Sequence, residues 1–90
     1  MQVTDVKVFT VAKDDERLKA FATITFDDCF IVRDLKIIDG TEGLFVAMPS
    51  KKRKDGQYKD VAHPLNNDMR EMIESAVLVE YKEEVEKVIT

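Results

Sequence analysis

Between Leu18 and Phe26 the chain alternates residue by residue, with Leu18, Ala20, Ala22, Ile24 and Phe26 in one set and Lys19, Phe21, Thr23 and Thr25 in the other. A period of two is the repeat of a β-strand; a helix would place its apolar residues three and four apart. The stretch is therefore predicted to be a strand with one face in a core and a mixed opposite face. Its neighbours extend the pattern. Gln2 to Val11, rich in Val and Thr, reads as a preceding strand, and Ala12 to Arg17 as a charged turn. Asp27-Asp28 is a tight turn into a third strand, Cys29 to Ile38, and two short connections in succession favour an antiparallel meander. In that third strand Ile31, Leu35 and Ile37 fall on one face and Phe30 and Val32 on the other. Arg33 and Asp34 interrupt the alternation, as a bulge, an edge or an exposed strand end would.

After a loop at Asp39-Gly40, Leu44 to Met48 is apolar throughout, the signature of a strand buried on both faces, and Pro49 ends it by removing a ladder donor. Four basic residues follow, then the turn signal Asp55-Gly56 and a short strand from Gln57 to Ala62, a second hairpin carrying a positive loop at the end of the sheet. His63-Pro64 stops the strand. Asn66, Asn67 and Asp68 are all competent helix N-caps, and Asp68 with Glu71 has capping-box spacing. Met69, Met72, Ile73, Ala76, Val77, Tyr81, Val85 and Val88 then recur at helical spacing, widened by Leu78 and Val79. The predicted fold is a single α+β domain over residues 1–90. It has an antiparallel sheet of about five strands within residues 1–62 and one long C-terminal helix over about 67–88.

At 90 residues the buried fraction of surface is modest, and pairing with a second copy is one way to complete the core. No run reaches the roughly 18 apolar residues of a membrane span, and Asp5 and Lys7 break the apolar stretch a signal peptide would need, so a cytoplasmic location is expected. Cys29 is the one cysteine, expected as a small buried hydrophobe. The formal net charge is −4, which taken alone disfavours nucleic acid. Its distribution says otherwise: residues 49–59 hold five basic side chains against one acidic. With a Debye length of about 8 Å at physiological salt, such a cluster acts locally whatever the remainder carries.

The segment GLFVAMPSKK (43–52), followed by Asp55-Gly56, the Ala62-His63-Pro64 element and Asn66 before a helix, resembles the bacterial septation-regulator family SpoVG. The likeness extends upstream through Val3-Thr4-Asp5-Val6 and Ile38-Asp39-Gly40 and downstream towards Tyr81. It implies a small, cytoplasmic, dimeric, non-enzymatic regulator that binds DNA and RNA, with dimerisation through sheet edges.

On the residues themselves, Lys51, Lys52, Arg53, Lys54 and Lys59 are the candidates for phosphate contact. Asn66, Asn67 and Arg70, at the helix start, are the candidates for approaching bases, since Asn can pair with adenine and Arg with guanine. The competing readings are a solvated charged loop for the basic run and plain capping for the two asparagines. Asp68, Glu71 and Glu74 surround the helix start with negative charge and argue against a full major-groove recognition helix. His63 lacks the Cys or second His of a zinc site and any triad partner, so a structural hydrogen bond is expected of it, with no metal or other cofactor. The acidic residues Glu80, Glu83, Glu84 and Glu86 read as a solvated helix face. A protein-interaction module of cell-division or sporulation control, its basic loop meeting an acidic partner, is the alternative from another class.

Overall fold

The computed structural model describes residues 1–11 and 17–89, with side chains given as far as Glu86. The element order is β1 (Val3–Thr10), β2 (Leu18–Phe26), β3 (Phe30–Gly40), β4 (Gly43–Ala47), β5 (Ser50–Lys52), β6 (Tyr58–Asp60) and α1 (Asn67–Ile89). Strands β1 to β4 form an antiparallel meander in sequence order, while β5 and β6, among the described residues, pair only with each other. The α+β fold is as the sequence predicts, with its strands divided between a four-stranded sheet and a separate hairpin. Most of the charged turn expected at Ala12 to Arg17 lies outside the described residues.

The alternation in β2 places Ala20, Ala22, Ile24 and Phe26 in the core. They line up with Val6 and Val8 of β1, Leu35 and Ile37 of β3 and Val46 of β4, and α1 lies over this face with Ile73 and Val77 buried and Met69, Met72, Ala76, Leu78 and Tyr81 packed around them. Complete burial of an aliphatic side chain contributes roughly 1.5–3 kcal/mol, so Ile24, Leu35, Ile37, Val46 and Val77, the largest fully buried side chains, form the energetic centre.

Three irregularities adjust the faces: in β1 Val3↔Phe26 is followed by Asp5↔Thr25, and the other two lie in the β2–β3 pairing. The pairing Ala22↔Leu35 is followed by Ile24↔Val32, so β3 spends three residues against two of β2. The extra residue lies at Arg33-Asp34, and Asp34 adopts φ 64°. The interruption in the sequence is thus a β-bulge, and it changes which parity faces inward: Phe30 and Val32 before it, Leu35 and Ile37 after it. Ile31 is accordingly exposed, not grouped with Leu35 and Ile37. The other irregularity of this pairing is in β2, where Leu18↔Ile38 precedes Ala20↔Ile37, and it turns Leu18 to the opposite face.

Three further expectations are corrected. Cys29 is exposed, because the Asp27-Asp28 turn (φ 51° and 53°) leaves it at the hairpin corner, its N–H donating to the Phe26 carbonyl at 3.0 Å. Strand β4 is an edge strand and buries one face only: Val46 is inside and Phe45 is exposed. The expected hairpin between Leu44–Met48 and Gln57–Ala62 does not form either. Pro49 ends β4, and the chain starts the new short strand β5 to meet β6.

Candidate nucleic-acid interface

The hairpin turns where Asp55-Gly56 predicts. Asp55 Oδ1 accepts from the Gln57 N–H at 3.0 Å, Gly56 takes φ 89°, and its N–H donates to the Arg53 carbonyl at 3.0 Å. Arg53 N–H to the Gln57 carbonyl and Val61 N–H to the Pro49 carbonyl, both at 2.7 Å, close the ladder at either end. Lys51 and Lys52 therefore lie in strand β5, while Arg53 and Lys54 form the turn.

This register sets Lys51 directly opposite Lys59 and Lys52 opposite Tyr58. Opposite residues of an antiparallel pair share a face with Cβ atoms about 4.5–5.5 Å apart, and like charges there are destabilising. The basic run is consequently split: Lys51 and Lys59 on one face, Lys52 with Tyr58 on the other, and Arg53 and Lys54 at the tip. Every residue from Ser50 to His63 is exposed, and among the described residues the hairpin packs extensively on neither the sheet nor the helix. It stands out as an arm.

At the helix start Asn66 is the N-cap, its Oδ1 accepting the Met69 N–H at 2.8 Å. The Asp68-Glu71 capping box is not used, since the helix begins before it. Of the predicted base-reading residues, Asn66 thus has its side-chain oxygen engaged locally, whereas Asn67 and Arg70 are exposed. Arg70 lies 3.9 Å from Glu74, one turn along; an exposed pair of that length is weak and exchangeable. His63 is exposed and, among the described residues, forms no hydrogen bond, in place of the structural bond expected; its open position leaves its polar atoms to water. With Pro64 and Leu65 it borders an apolar cleft of about 440 Å³ between the end of the sheet, at Phe30, and the start of α1.

Comparison with known proteins settles the lineage. The SpoVG family model matches residues 1–83. The chain belongs to the SpoVG family. Among its relatives named "Putative septation protein SpoVG", the one from Bdellovibrio bacteriovorus is 62% identical over 85 residues, covering 94% of this chain and 77% of the relative. One from Anaeromyxobacter sp. (strain Fw109-5) is 58% identical over 87 residues, covering 97% and 88%, and one from Myxococcus xanthus is 60% identical over 82 residues, covering 91% and 81%. The SpoVG resemblance carried by GLFVAMPSKK and Ala62-His63-Pro64 therefore holds for nearly the whole chain.

Sequence reasoning missed two features of this SpoVG chain. The Lys51–Lys59 opposition could have been found by folding the sequence about Asp55-Gly56. The exposed phenylalanines Phe9 and Phe45, which join Phe21 on the side of the sheet away from α1, were harder to see, because Phe45 lies in an all-apolar run and Phe9 in a valine-rich strand. Among the described residues no cluster of three or more His, Cys, Asp or Glu side chains is placed to hold a metal, and no helix is long and apolar enough to cross a membrane.

Proposed function

We propose that this SpoVG chain is a non-catalytic cytoplasmic regulator, of septation or sporulation-type control, that binds DNA and RNA through its basic hairpin and acts by occupancy. The observation that carries the reading is the Lys51–Lys59 opposition on an exposed arm that the core does not need, in a chain of net charge −4. Like charges set across a ladder cost stability unless something anionic answers them. Phosphates do so: Lys51, Lys52, Arg53, Lys54 and Lys59 would hold the backbone, and Arg70, with Asn66 or Asn67, would approach the bases. The test is fluorescence anisotropy with labelled duplex DNA and single-stranded RNA over a salt series, comparing the native chain with a variant carrying Lys51, Lys52, Arg53 and Lys54 all changed to Ala. Five neutralised phosphates give a log–log salt slope near −4.5 on duplex DNA, and the variant retains about −1. Equal slopes, or no binding at low salt by either chain, would reject the site in favour of an acidic protein partner.

The same arm supports a homodimer. A lone two-stranded hairpin is marginal in water, and Tyr58, Val61 and Leu65 are 68%, 69% and 90% exposed. Docking this segment on a second copy would bury those side chains. Sedimentation equilibrium should report a dimer for the native chain and a shift towards monomer for Leu65→Glu; a native monomer at all concentrations would discard this arrangement.

A further inference from the structure

Helix α1 covers one face of the four-stranded sheet, and the other face holds three large aromatic side chains in the open: Phe9 is 56%, Phe21 36% and Phe45 42% exposed. The register organises them. Phe9 is opposite Phe21, Phe21 is opposite Lys36, and Lys36 is opposite Ala47, which makes one row across all four strands. Phe45 sits in the adjoining row opposite Ile38, itself opposite Leu18. A Cβ added to Gly40 would come within 2.9 Å of the Phe45 ring, so that ring lies against bare backbone. Between Phe45 and Lys36 the surface dips into a shallow depression bordered by Arg17, Leu18 and Ile38.

We infer that this helix-free face is a second binding site, which takes single-stranded nucleic acid by stacking unpaired bases on Phe9, Phe21 and Phe45 while Lys7, Lys36 and Arg17 meet the phosphates. Charge decides the occupant. Lys7, two residues before Phe9, shares its face, and Lys36 lies within the aromatic row; the acidic residues on this face are Asp5 in the ladder and Asp34 in the bulge, where Arg33 adjoins it. The cores of protein interfaces are depleted of lysine, because a partner there must strip water from the ammonium group. A phosphate replaces that water with an opposite charge. Aromatic rings interleaved with cations on an open sheet are also what sequence-tolerant binding of unpaired bases uses, each base presenting a π-face to a ring. Neighbouring strands are about 4.8 Å apart, so Phe9 and Phe21 form one platform and Phe45, two strands from Phe21, a second roughly 10 Å away. A duplex, with its bases already stacked on one another, has no face to offer. The inference does not depend on the basic hairpin, whose proposed nucleic-acid contacts are with phosphate.

The experiment uses the full chain with a fluorescein-labelled oligouridine 12-mer and a labelled duplex DNA of equal length. Phe9→Leu and Phe45→Leu keep apolar volume and remove the ring; Phe9→Tyr keeps the ring. Stacking on one ring is worth about 5- to 150-fold in affinity. The expected result is that each leucine variant weakens oligouridine binding at least about 5-fold, that Phe9→Tyr matches the native chain, and that duplex binding is unchanged by all three. The four-alanine hairpin variant should show the converse, losing duplex binding while its residual oligouridine binding stays sensitive to Phe9→Leu. The inference is overturned if folded leucine variants bind oligouridine like the native chain, or if the native chain fails to bind it at low salt. It is equally overturned if the leucine variants change sedimentation mass in step with the loss, which would make this face a contact between copies.

Discussion

Reversing one charge in the hairpin should move stability and binding in opposite directions. In Lys59→Glu the Lys51 ammonium gains a carboxylate partner across the ladder in place of a second cation. Cross-strand charge pairs are worth roughly 0.2–1 kcal/mol, and exposure of both residues keeps each effect near the low end, so relief of repulsion plus the new attraction should stabilise the hairpin by about 0.5–1 kcal/mol. Amide exchange reads this directly. The Arg53 and Val61 N–H groups, which bond to Gln57 and Pro49 at the two ends of the hairpin, should exchange about 2- to 5-fold more slowly. Binding should suffer twice, because one phosphate contact is lost and Lys51 is partly neutralised by its new neighbour. At about 0.9 per phosphate, the slope on duplex DNA falls from about −4.5 to about −2.7. Between 50 and 200 mM salt the native chain should then lose affinity about 500-fold and the variant about 40-fold. Lys59→Ala separates the causes: it removes the repulsion without adding attraction and loses one contact, for a slope near −3.6. If Lys59→Glu and Lys59→Ala give the same slope, or exchange in the hairpin does not slow, the reasoning about opposed lysines is wrong.

Other outcomes follow from the core and the backbone. Ile24→Ala, at a fully buried position, should lower unfolding free energy by about 2–5 kcal/mol in a urea titration, with no change in the salt slope of whatever remains folded. Asn66→Ala removes the cap on the Met69 N–H and should cost about 1 kcal/mol, whereas Asn67→Ala should lie within measurement error for stability and show its effect only in binding. Asp34→Val puts a β-branched residue at φ 64° and should destabilise by at least about 1–2 kcal/mol, while Asp34→Gly is tolerated; equal stability of the two would mean that the bulge relaxes.

How much of this was legible beforehand depended on whether a residue's surroundings were local in sequence. The alternation from Leu18 to Phe26 needed only its own period to place Ala20, Ala22, Ile24 and Phe26 inside, and the 3.6-residue repeat did the same for Ile73 and Val77. The Asp55-Gly56 turn was legible for the same reason. Leu44 to Met48 misled because an apolar run does not say whether a strand is central or at an edge; strand order makes β4 an edge, and Phe45 is left in the open. Cys29 misled because residue type suggested burial while the two left-handed aspartates before it placed it at a corner. The bulge was visible as an interruption at Arg33-Asp34, but only pairing with β2 shows that it exchanges the inner and outer faces of β3. For the candidate site, the cations and the helix-start residues were evident from sequence. Their division between two faces of a hairpin was not, because that depends on register.

The detachment of the hairpin from the core separates two kinds of selection that most small domains must satisfy with the same residues. Substitutions of the cations from Ser50 to Asp60 touch no side chain buried within the protomer, so their number and spacing can drift or expand while the sheet and helix keep folding as before. A lineage can thus edit the charge of this arm within eleven consecutive codons, and an engineer can vary it in the same stretch.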